Sequence, residues 1–314
     1  MLSYILRRLA ATIPTLLIVS LFIFSLLYIG GGDPAAMLAG GEASAVEVEK
    51  IRETLGLNDP YLSRYMDWLT AALQGDLGQS LYSQKPVTEL ILQRVEPTAM
   101  LTVTTMIVVL VLSIPLGILA AWQAGRATDR AVMIFAVVGF SVPIFVVAYV
   151  GIYFFSVQWR LLPVQGYTSP FEDFPDFLGH MVLPSLALGL TLSALVARIT
   201  RASMLEVLSQ HYIRTARAKG LGDRPMLLRH ALKNAAVPIV TVIGLAVATL
   251  IGGVVVTETV FAIPGVGRLT VDAILRRDFP VIQGVLLVFS FVYVLVNLAV
   301  DLSYSLFDPR IRYR

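Results

Sequence analysis

The sequence predicts an all-α protein that crosses a membrane six times, and three observations lead to this prediction. Of the 314 residues, 57% are hydrophobic and only 14% are charged, with a mean hydropathy of +0.78, whereas soluble domains carry about 25% charged residues. Six stretches without a charged residue come close to or exceed the roughly 20 residues that a helix needs to span a bilayer. The basic residues lie in the loops between these stretches, as is typical of a polytopic membrane protein.

The six charge-free stretches are the predicted spans. The first is longer than the roughly 7–15 apolar residues of a secretory signal, so we expect a retained helix. The fourth is short and is expected to continue past its flanking charged residues, whose side chains can reach the interface. The spans are Leu9 to Ile29, Pro97 to Trp122, Ala131 to Val157, Met181 to Ala197, Asn234 to Thr257, and Phe279 to Val300.

The charge distribution predicts the orientation of the chain. If both termini are cytoplasmic, 15 of the 24 Lys and Arg residues lie in the cytoplasmic loops, although these loops are shorter in total than the external ones. We therefore expect a multi-pass membrane protein with cytoplasmic N- and C-termini, and the absence of cysteine fits a bacterial membrane. Residues 1–29 would form the N-terminus and first span, 30–96 an external helical loop, and 97–314 a five-helix core with a cytoplasmic loop at 198–233.

The external loop carries its own helix signals. Ser44 and Glu47 have the spacing of a capping box, which predicts a helix that starts beside them. A second apolar pattern covers Tyr61–Leu73, and a third follows Pro86 as far as Arg94. These patterns predict three short helices at the outer surface.

The third span contains a predicted kink. Proline within a spanning helix frees backbone groups, which is tolerated where neighbouring groups satisfy them. Pro143, beside Ser141, would place polar backbone next to a translocation path. Ordinary packing is the alternative reading of this proline.

The loop at 198–233 is the most basic part of the chain, with eight Lys or Arg residues against two acidic ones. A short helix is predicted at about His211 to Leu221. The i, i+4, i+8 spacing puts Tyr212, Ala216 and Gly220 on one face. Because such a helix buries little by itself, we expect it to dock into a groove on a partner.

The run from Tyr212 onward, YIRTARAKGLGDRPMLLRHALKNAAVPIVT, resembles the "EAA" loop of ABC-importer permeases in the dipeptide, oligopeptide, glutathione and nickel group. Ala216, Gly220 and Leu232 match the generic motif, and the RTARAKG wording is typical of the peptide group. The resemblance implies the type I importer permease fold and a coupling helix that contacts an ATPase. The implied coupling residues are Tyr212, Arg214, Thr215, Ala216, Arg217, Ala218, Lys219, Gly220 and Leu221.

The stretch TETVFAIPGVGRL is similar to a segment at the periplasmic mouth of the same family, which implies a gate or receptor-docking role. From its residues alone, it is not expected to be a regular helix through Pro264, Gly265 and Gly267, and it is expected to fold back on the spans. The residues implied in this role are Phe261, Pro264, Gly265, Gly267 and Arg268. For the loop at 30–96 the resemblance implies receptor docking, and a cap that seals the outer mouth is the alternative.

The resemblance also implies the partners. These are a second homologous permease, two ABC ATPase subunits that bind ATP and Mg, an extracytoplasmic substrate-binding protein, and membrane lipid. Small peptides are the favoured cargo, and glutathione, nickel chelates and opine-like solutes are alternatives. No cofactor or metal is expected in this chain itself.

The sequence excludes several other chemistries. It has no cysteine, no GxxxxGK[ST] phosphate loop, no GxSxG elbow and only three scattered histidines, so neither ATP hydrolysis nor another enzyme activity is expected. The six stretches lack the carboxylates and bases that mark ion-coupled pathways. The basic residues form no stripe for nucleic acid. A membrane scaffold or sensor that binds a cytoplasmic partner through the same loop is the alternative from a different class.

Overall fold

The computed structural model describes residues 2–29, 34–39, 44–54 and 56–307, and this part of the chain is helical without a β-strand. Two short π-helical segments, Ile152–Gln158 and Met226–Ala231, continue α7 and α10. The helices are α1 Leu2–Ile29, α2 Pro34–Ala39, α3 Ala45–Thr54, α4 Tyr61–Leu73, α5 Val87–Trp122, α6 Ala127–Ser141, α7 Ile144–Gly151, α8 Phe174–Leu208, α9 His211–Ala218, α10 Asp223–Pro225, α11 Leu232–Asn234, α12 Ala236–Val260, α13 Val266–Leu275 and α14 Phe279–Phe307.

All six predicted apolar stretches fall on helices. In the described chain, α5, α8, α12 and α14 are each long and apolar enough to cross a membrane, and the broken pair of α6 and α7 is a fifth candidate. The first helix contributes a shorter apolar stretch, Ala11–Leu26. As expected, the fourth span extends past its flanking charged residues: α8 has 35 residues and continues beyond both ends of the apolar run.

The third span is interrupted where the kink was predicted. The axes of α6 and of the helix that follows Pro143 differ by 101°. Pro143 has no N–H to donate, and its φ of −60° and ψ of 142° end the α6 geometry before α7 begins. The Ser141 hydroxyl donates to the Val137 carbonyl at 2.8 Å, within its own helix. The interruption therefore arises from the local chemistry of proline.

Residues 96–267, with the chain from 295 onward, form one compact unit that is centred on α8. This helix packs against α6, α7 and α12. Glycines permit the closest contacts: a Cβ on Gly189 would lie 2.8 Å from Val108, and one on Gly117 would lie 2.5 Å from Thr200. Small residues at such crossings bring helix backbones together, as in other membrane bundles.

Residues 2–95 and 268–294 form the second unit. The Phe24 ring of α1 packs against the rings of Tyr61, Tyr65 and Trp68 on α4. The Ser20 hydroxyl shares a hydrogen bond of 2.9 Å with the hydroxyl of Tyr65. These contacts join α4 to α1.

The structure confirms two helix predictions for the external loop and corrects a third. The Ser44 N–H donates to Glu47 Oε2 at 2.8 Å, and the Glu47 N–H donates to Ser44 Oγ at 3.3 Å, which is the reciprocal capping box. The backbone hydrogen bond from Ser44 lowers the pKa of Glu47. The pattern Tyr61–Leu73 is α4. The predicted third short helix is wrong, because those residues form the first turns of α5, which continues unbroken to Trp122.

Candidate functional site

The basic loop is mostly helical. We call residues 198–235 the α9 end, because they precede α12 and contain α9. Instead of ending before Arg198, α8 continues to Leu208, and a turn at Ser209 and Gln210 leads into α9. The helix predicted at about His211 to Leu221 is therefore present, but it ends at Ala218.

One side chain anchors α9. Ile213 is 2% exposed and packs into a buried apolar cluster. A side chain three or four residues away on a helix shares its face, and one half a turn away faces the opposite direction. The outward face is accordingly centred on His211, Thr215 and Ala218, all exposed. The other members of the buried cluster are Ala121, Met204, Met226, Leu227, Ala231, Ala235 and Ile239.

The predicted docking face of Tyr212, Ala216 and Gly220 does not lie along a single helix, because α9 ends at Ala218. Ala216 is half-buried beside the Ile213 side of the helix. Gly220 lies beyond the helix with φ +82°, and the Gly220 N–H donates to the Arg217 carbonyl at 3.0 Å. A Cβ on Gly220 would meet no atom within 4 Å. Glycine is favoured there by a left-handed backbone at the end of the helix.

The charges at the α9 end fall into two groups. Arg214, Arg217 and Lys219 are exposed on or just after α9. Arg201, in contrast, is bound to Asp129 near the N-terminus of α6, and its Nη2 donates to Asp129 Oδ2 at 2.7 Å. The same carboxylate accepts the Gly125 N–H at 2.9 Å. Arg201 is therefore bonded within the chain, whereas Arg214, Arg217 and Lys219 are exposed to the solvent.

Tyr212 lies at the edge of this surface. It is 44% exposed, and burial of its remaining surface raises the pKa of its phenol despite a hydrogen bond with the Asn234 side chain. The hydroxyl is thus neutral at physiological pH and can donate. Further exposed cations follow on the segment after α9, at Arg224, Arg229 and Lys233. The whole surface is strongly basic.

The opposite end of α12 is built around a turn. We call residues 255–267 the Glu258 end. The turn begins at Ala262, which has φ +51°, and the Ile263 N–H donates back to the Glu258 carbonyl at 2.9 Å. Phe261 and Ile263 are 2% and 0% exposed, within the main apolar core, and Pro264 is exposed. As predicted, the segment folds back on the spans.

Glu258 itself is fully buried. The Thr98 hydroxyl of α5 donates to Glu258 Oε1 at 2.6 Å. The same Thr98 oxygen accepts the N–H of Val266, the first residue of α13, at 2.8 Å. One hydroxyl therefore connects α5, the end of α12 and the start of α13.

The glycines of this turn lie directly against the carboxylate. A Cβ on Gly265 would be 2.1 Å from Glu258 Oε1, and one on Gly267 would be 2.8 Å from the Val255 backbone. No larger residue fits without displacing these groups. The prediction that Gly267 interrupts the helix is wrong, because it lies in the first turn of α13, and Arg268 follows in the same helix.

A second loop supports the turn from the side. The Gly166 N–H donates to the Phe261 carbonyl at 3.0 Å. Next to it, the Tyr167 hydroxyl donates to Glu96 Oε1 at 2.9 Å, and the Ser169 hydroxyl donates to the same oxygen at 2.6 Å. Burial, together with the hydrogen bond to Glu96, raises the pKa of Tyr167 well above its usual value. The Glu258 end is therefore a densely bonded structure.

The amino-acid sequence of the chain matches a known protein family. The family described as "binding-protein-dependent transport system inner membrane component" matches residues 113–313, and its N-terminal counterpart matches residues 1–102. The chain belongs to this permease family.

Similar proteins resemble the permease over its full length. It is 53% identical over 310 residues to a probable peptide ABC transporter permease protein, y4tP, of Sinorhizobium fredii, with 99% of each chain covered. It is 43% identical over 314 residues to the glutathione transport system permease protein GsiC of Escherichia coli, with 100% of each chain covered.

A solved structure shares the fold. A chain of the MetNI methionine ABC transporter, determined in inward-facing conformations, superposes with a TM-score of 0.57 at 18% identity. The match covers 70% of the permease and 96% of that chain. The all-α, polytopic fold predicted from the sequence is therefore that of an ABC importer permease, in a multi-pass protein of the inner membrane.

The structure also brings together residues that sequence reasoning missed. Glu258 comes directly after the charge-free stretch that ends at Thr257, so the boundary of that stretch hid a buried acid in α12. Its partner Thr98 is 160 positions away. Asp129 lies near the start of α6, just before the stretch that begins at Ala131. Each helix extends past the apolar window that predicted it, and the extension carries the charge.

Proposed function

We propose that this permease forms half of the translocation pathway of an ATP-driven importer for small peptides. The observation that carries the proposal is the geometry of α9: a short basic helix, anchored by one buried isoleucine, with its opposite face and its cations exposed. A helix exposed in this way is suited to insertion into a groove on another subunit.

In this proposal α9 transmits motion between the permease and an ATPase. His211, Thr215 and Ala218 would face the groove, and Tyr212 would line its edge. Arg214, Arg217 and Lys219 would contact acidic or backbone groups of the ATPase, because arginine and lysine recognise such groups by charge-assisted hydrogen bonds. Ala216, Gly220 and Leu221 would support the helix and its end rather than touch the partner.

ATP hydrolysis is assigned to the partner subunits. The permease sequence has no phosphate-binding loop, so ATP and Mg would bind in the two ATPases. The assembly would further contain a second homologous permease and an extracytoplasmic binding protein. For α9 to meet the ATPases, the α9 end must be cytoplasmic, which places both termini in the cytoplasm and the loop at 30–96 outside.

The break between α6 and α7 would lie near the pathway. A 101° bend at Pro143 gives this span two separate helical segments, and Ser141 ends the first of them. Residues 97–314 would move as the transporting core, and 1–29 would flank it. Phe261, Pro264, Gly265, Gly267 and Arg268 would contribute to the external gate or to docking of the binding protein.

Peptides are the proposed cargo because both relatives at high identity are named for compounds with amide-linked amino acids. One is a probable peptide permease at 53% identity and the other a glutathione permease at 43% identity. Nickel chelates and opine-like solutes are alternatives within the same importer class. The scaffold or sensor alternative is not needed for a chain of this family.

The test is to co-express the permease with the products of the neighbouring genes and purify the complex in detergent. We expect two permeases and two ATPases, with ATP hydrolysis stimulated by peptide-loaded binding protein. Reversing the α9 charges, Arg214→Glu with Arg217→Glu, should abolish co-purification of the ATPases. Arg224→Glu and Arg229→Glu together, the same charge change outside α9, should preserve it. Recovery of the permease alone in every case would contradict the proposal.

A further inference from the structure

The 261–267 turn is bonded to α5 through the hydroxyl of Thr98. Thr98 Oγ1 uses its proton for Glu258 Oε1, at 2.6 Å, and its lone pair for the Val266 N–H, at 2.8 Å. The first N–H groups of a helix have no partner within that helix. Thr98 therefore supplies a missing acceptor to α13 while it donates to a carboxylate.

The carboxylate is a demanding partner because it is fully buried. A buried polar group that loses its hydrogen bonds is left unsatisfied, because no water can replace the lost partner. Displacing the turn from α5 would separate the Val266 N–H from Thr98 and disturb this carboxylate. These polar bonds therefore favour the position of the turn against α5, which we call its seated position.

The two glycines make the seated position depend on close contact. Gly265 and Gly267 place backbone directly on the carboxylate and on Val255. Displacement by even 1 Å would open this contact, since interiors are packed without spare room. Beyond the turn, α5 and α12 keep their own helical hydrogen bonds, so the turn can be released without unfolding either helix.

We propose that Thr98 and Glu258 are positioning residues that act as a latch: they hold the 261–267 turn against α5 until the binding protein displaces it. This inference rests on the proposed function and adds the control of its external end. With the latch intact, movement of the turn requires a bound partner. Without it, the turn moves spontaneously and ATP hydrolysis becomes independent of the binding protein.

The first test measures release of the turn directly. The sequence has no cysteine, so a single Ile263→Cys reporter in the otherwise intact permease reacts alone with a membrane-impermeant maleimide. Ile263 is 0% exposed, and labelling therefore reports displacement. Thr259→Cys, at an exposed position one turn earlier, gives the labelling rate of an open site.

Thr98→Val removes the hydroxyl without changing the size of the side chain, and Thr98→Ser keeps the hydroxyl. We expect Thr98→Val to increase Ile263→Cys labelling about tenfold, the factor expected from loss of one buried hydrogen bond. Thr98→Ser should label at the wild-type rate. Glu258→Gln keeps an acceptor and should change the rate less than Glu258→Ala. Equal labelling of Thr98→Val and wild type would overturn the latch.

The second readout separates a positioning role from a merely structural one. In the purified complex, Thr98→Val should raise ATP hydrolysis in the absence of binding protein several-fold, and Thr98→Ser should restore the wild-type dependence. Fast labelling with unchanged dependence on the binding protein would overturn the positioning role. Because labelling in membranes needs no ATPase partner, failure of the latch and failure of the proposed function give different results.

Discussion

Ionisable side chains are exposed at one end of α12 and buried at the other. At the α9 end, cations are exposed on a helix that is anchored by one apolar side chain, Ile213. At the Glu258 end, a carboxylate is fully buried, bonded to Thr98, and covered by two glycines of the neighbouring turn. The first end exposes its cations to the solvent, and the second keeps an acidic side chain bonded within its own chain.

The difference between exposed cations and a buried acid indicates how a short segment can be recognised as an interaction surface. An exposed cation contributes little to the stability of its own chain, since exposed ion pairs stabilise by at most about 1 kcal/mol. A buried carboxylate is costly and persists where its bonds organise the local structure. The same residue classes therefore indicate binding at one end of a helix and internal positioning at the other.

The largest loss of stability is expected when the ion pair between Arg201 and Asp129 is broken. Asp129→Ala leaves the Arg201 guanidinium without its carboxylate, so we expect a loss of about 3 kcal/mol, the low end of the range for broken buried pairs, because 26% of the Arg201 side chain is exposed. Thermal unfolding in detergent measures this loss. Arg214→Ala, which removes an exposed cation, should stay within about 0.5 kcal/mol. Equal losses of stability in Asp129→Ala and Arg214→Ala would show that the bonded Arg201 and the exposed Arg214 do not differ in this respect.

The next effect tests the anchor of α9. Ile213→Ala should cost about 2–3 kcal/mol, because it removes a side chain from a closed apolar cluster. The loss is local, so membrane insertion should persist while co-purification of the ATPases falls. Leu228→Ala, at a position 48% exposed in the following segment, is the control and should leave both unchanged. Normal ATPase binding by Ile213→Ala would show that α9 needs no anchor.

A smaller effect is expected at the Glu258 end. Gly265→Ala should cost about 1–3 kcal/mol, because its Cβ would lie 2.1 Å from a buried carboxylate oxygen and the turn must move. Gly252→Ala is the matched control within α12, since its Cβ would meet nothing within 4 Å. Thermal unfolding distinguishes the two variants. Identical midpoints would mean that the turn adapts freely and is not held by close contact.

The smallest effect concerns the end of α9. Gly220→Ala should destabilise by about 1 kcal/mol, because φ is +82° and an L-residue is strained there. Gly220→Asn should cost less, since asparagine tolerates this conformation. The comparison of unfolding midpoints for these two variants checks the order. If a bulkier residue that tolerates the backbone abolished ATPase binding, Gly220 would belong to the docking face after all.

Local signals predicted much of this structure. The capping box at Ser44 and Glu47, the pattern Tyr61–Leu73 and the interruption at Pro143 each depend on residues within one or two helical turns. Such signals are readable because the chemistry that forms them is adjacent in the chain. The helix that begins at His211 is predictable for the same reason, although it ends at Ala218, three residues before the predicted end at Leu221.

Pairings over long distances were not predictable. Thr98 and Glu258 are 160 residues apart, and Asp129 and Arg201 are 72 apart. No single-sequence pattern connects such positions, and apolar windows end by definition at the first charge. Glu258 and Asp129 were therefore treated as loop residues, although each lies within a helix.

By itself, the sequence determined the helices, their apolar character, the position of the basic segment and the break at Pro143, because these depend on composition and on neighbours along the chain. Which charged side chains are exposed to the solvent and which are bonded within the chain depends on the folded structure. Whether a charged side chain is stable in a given place depends on the partners and the solvent around it, and folding, rather than the order of residues, brings those partners together.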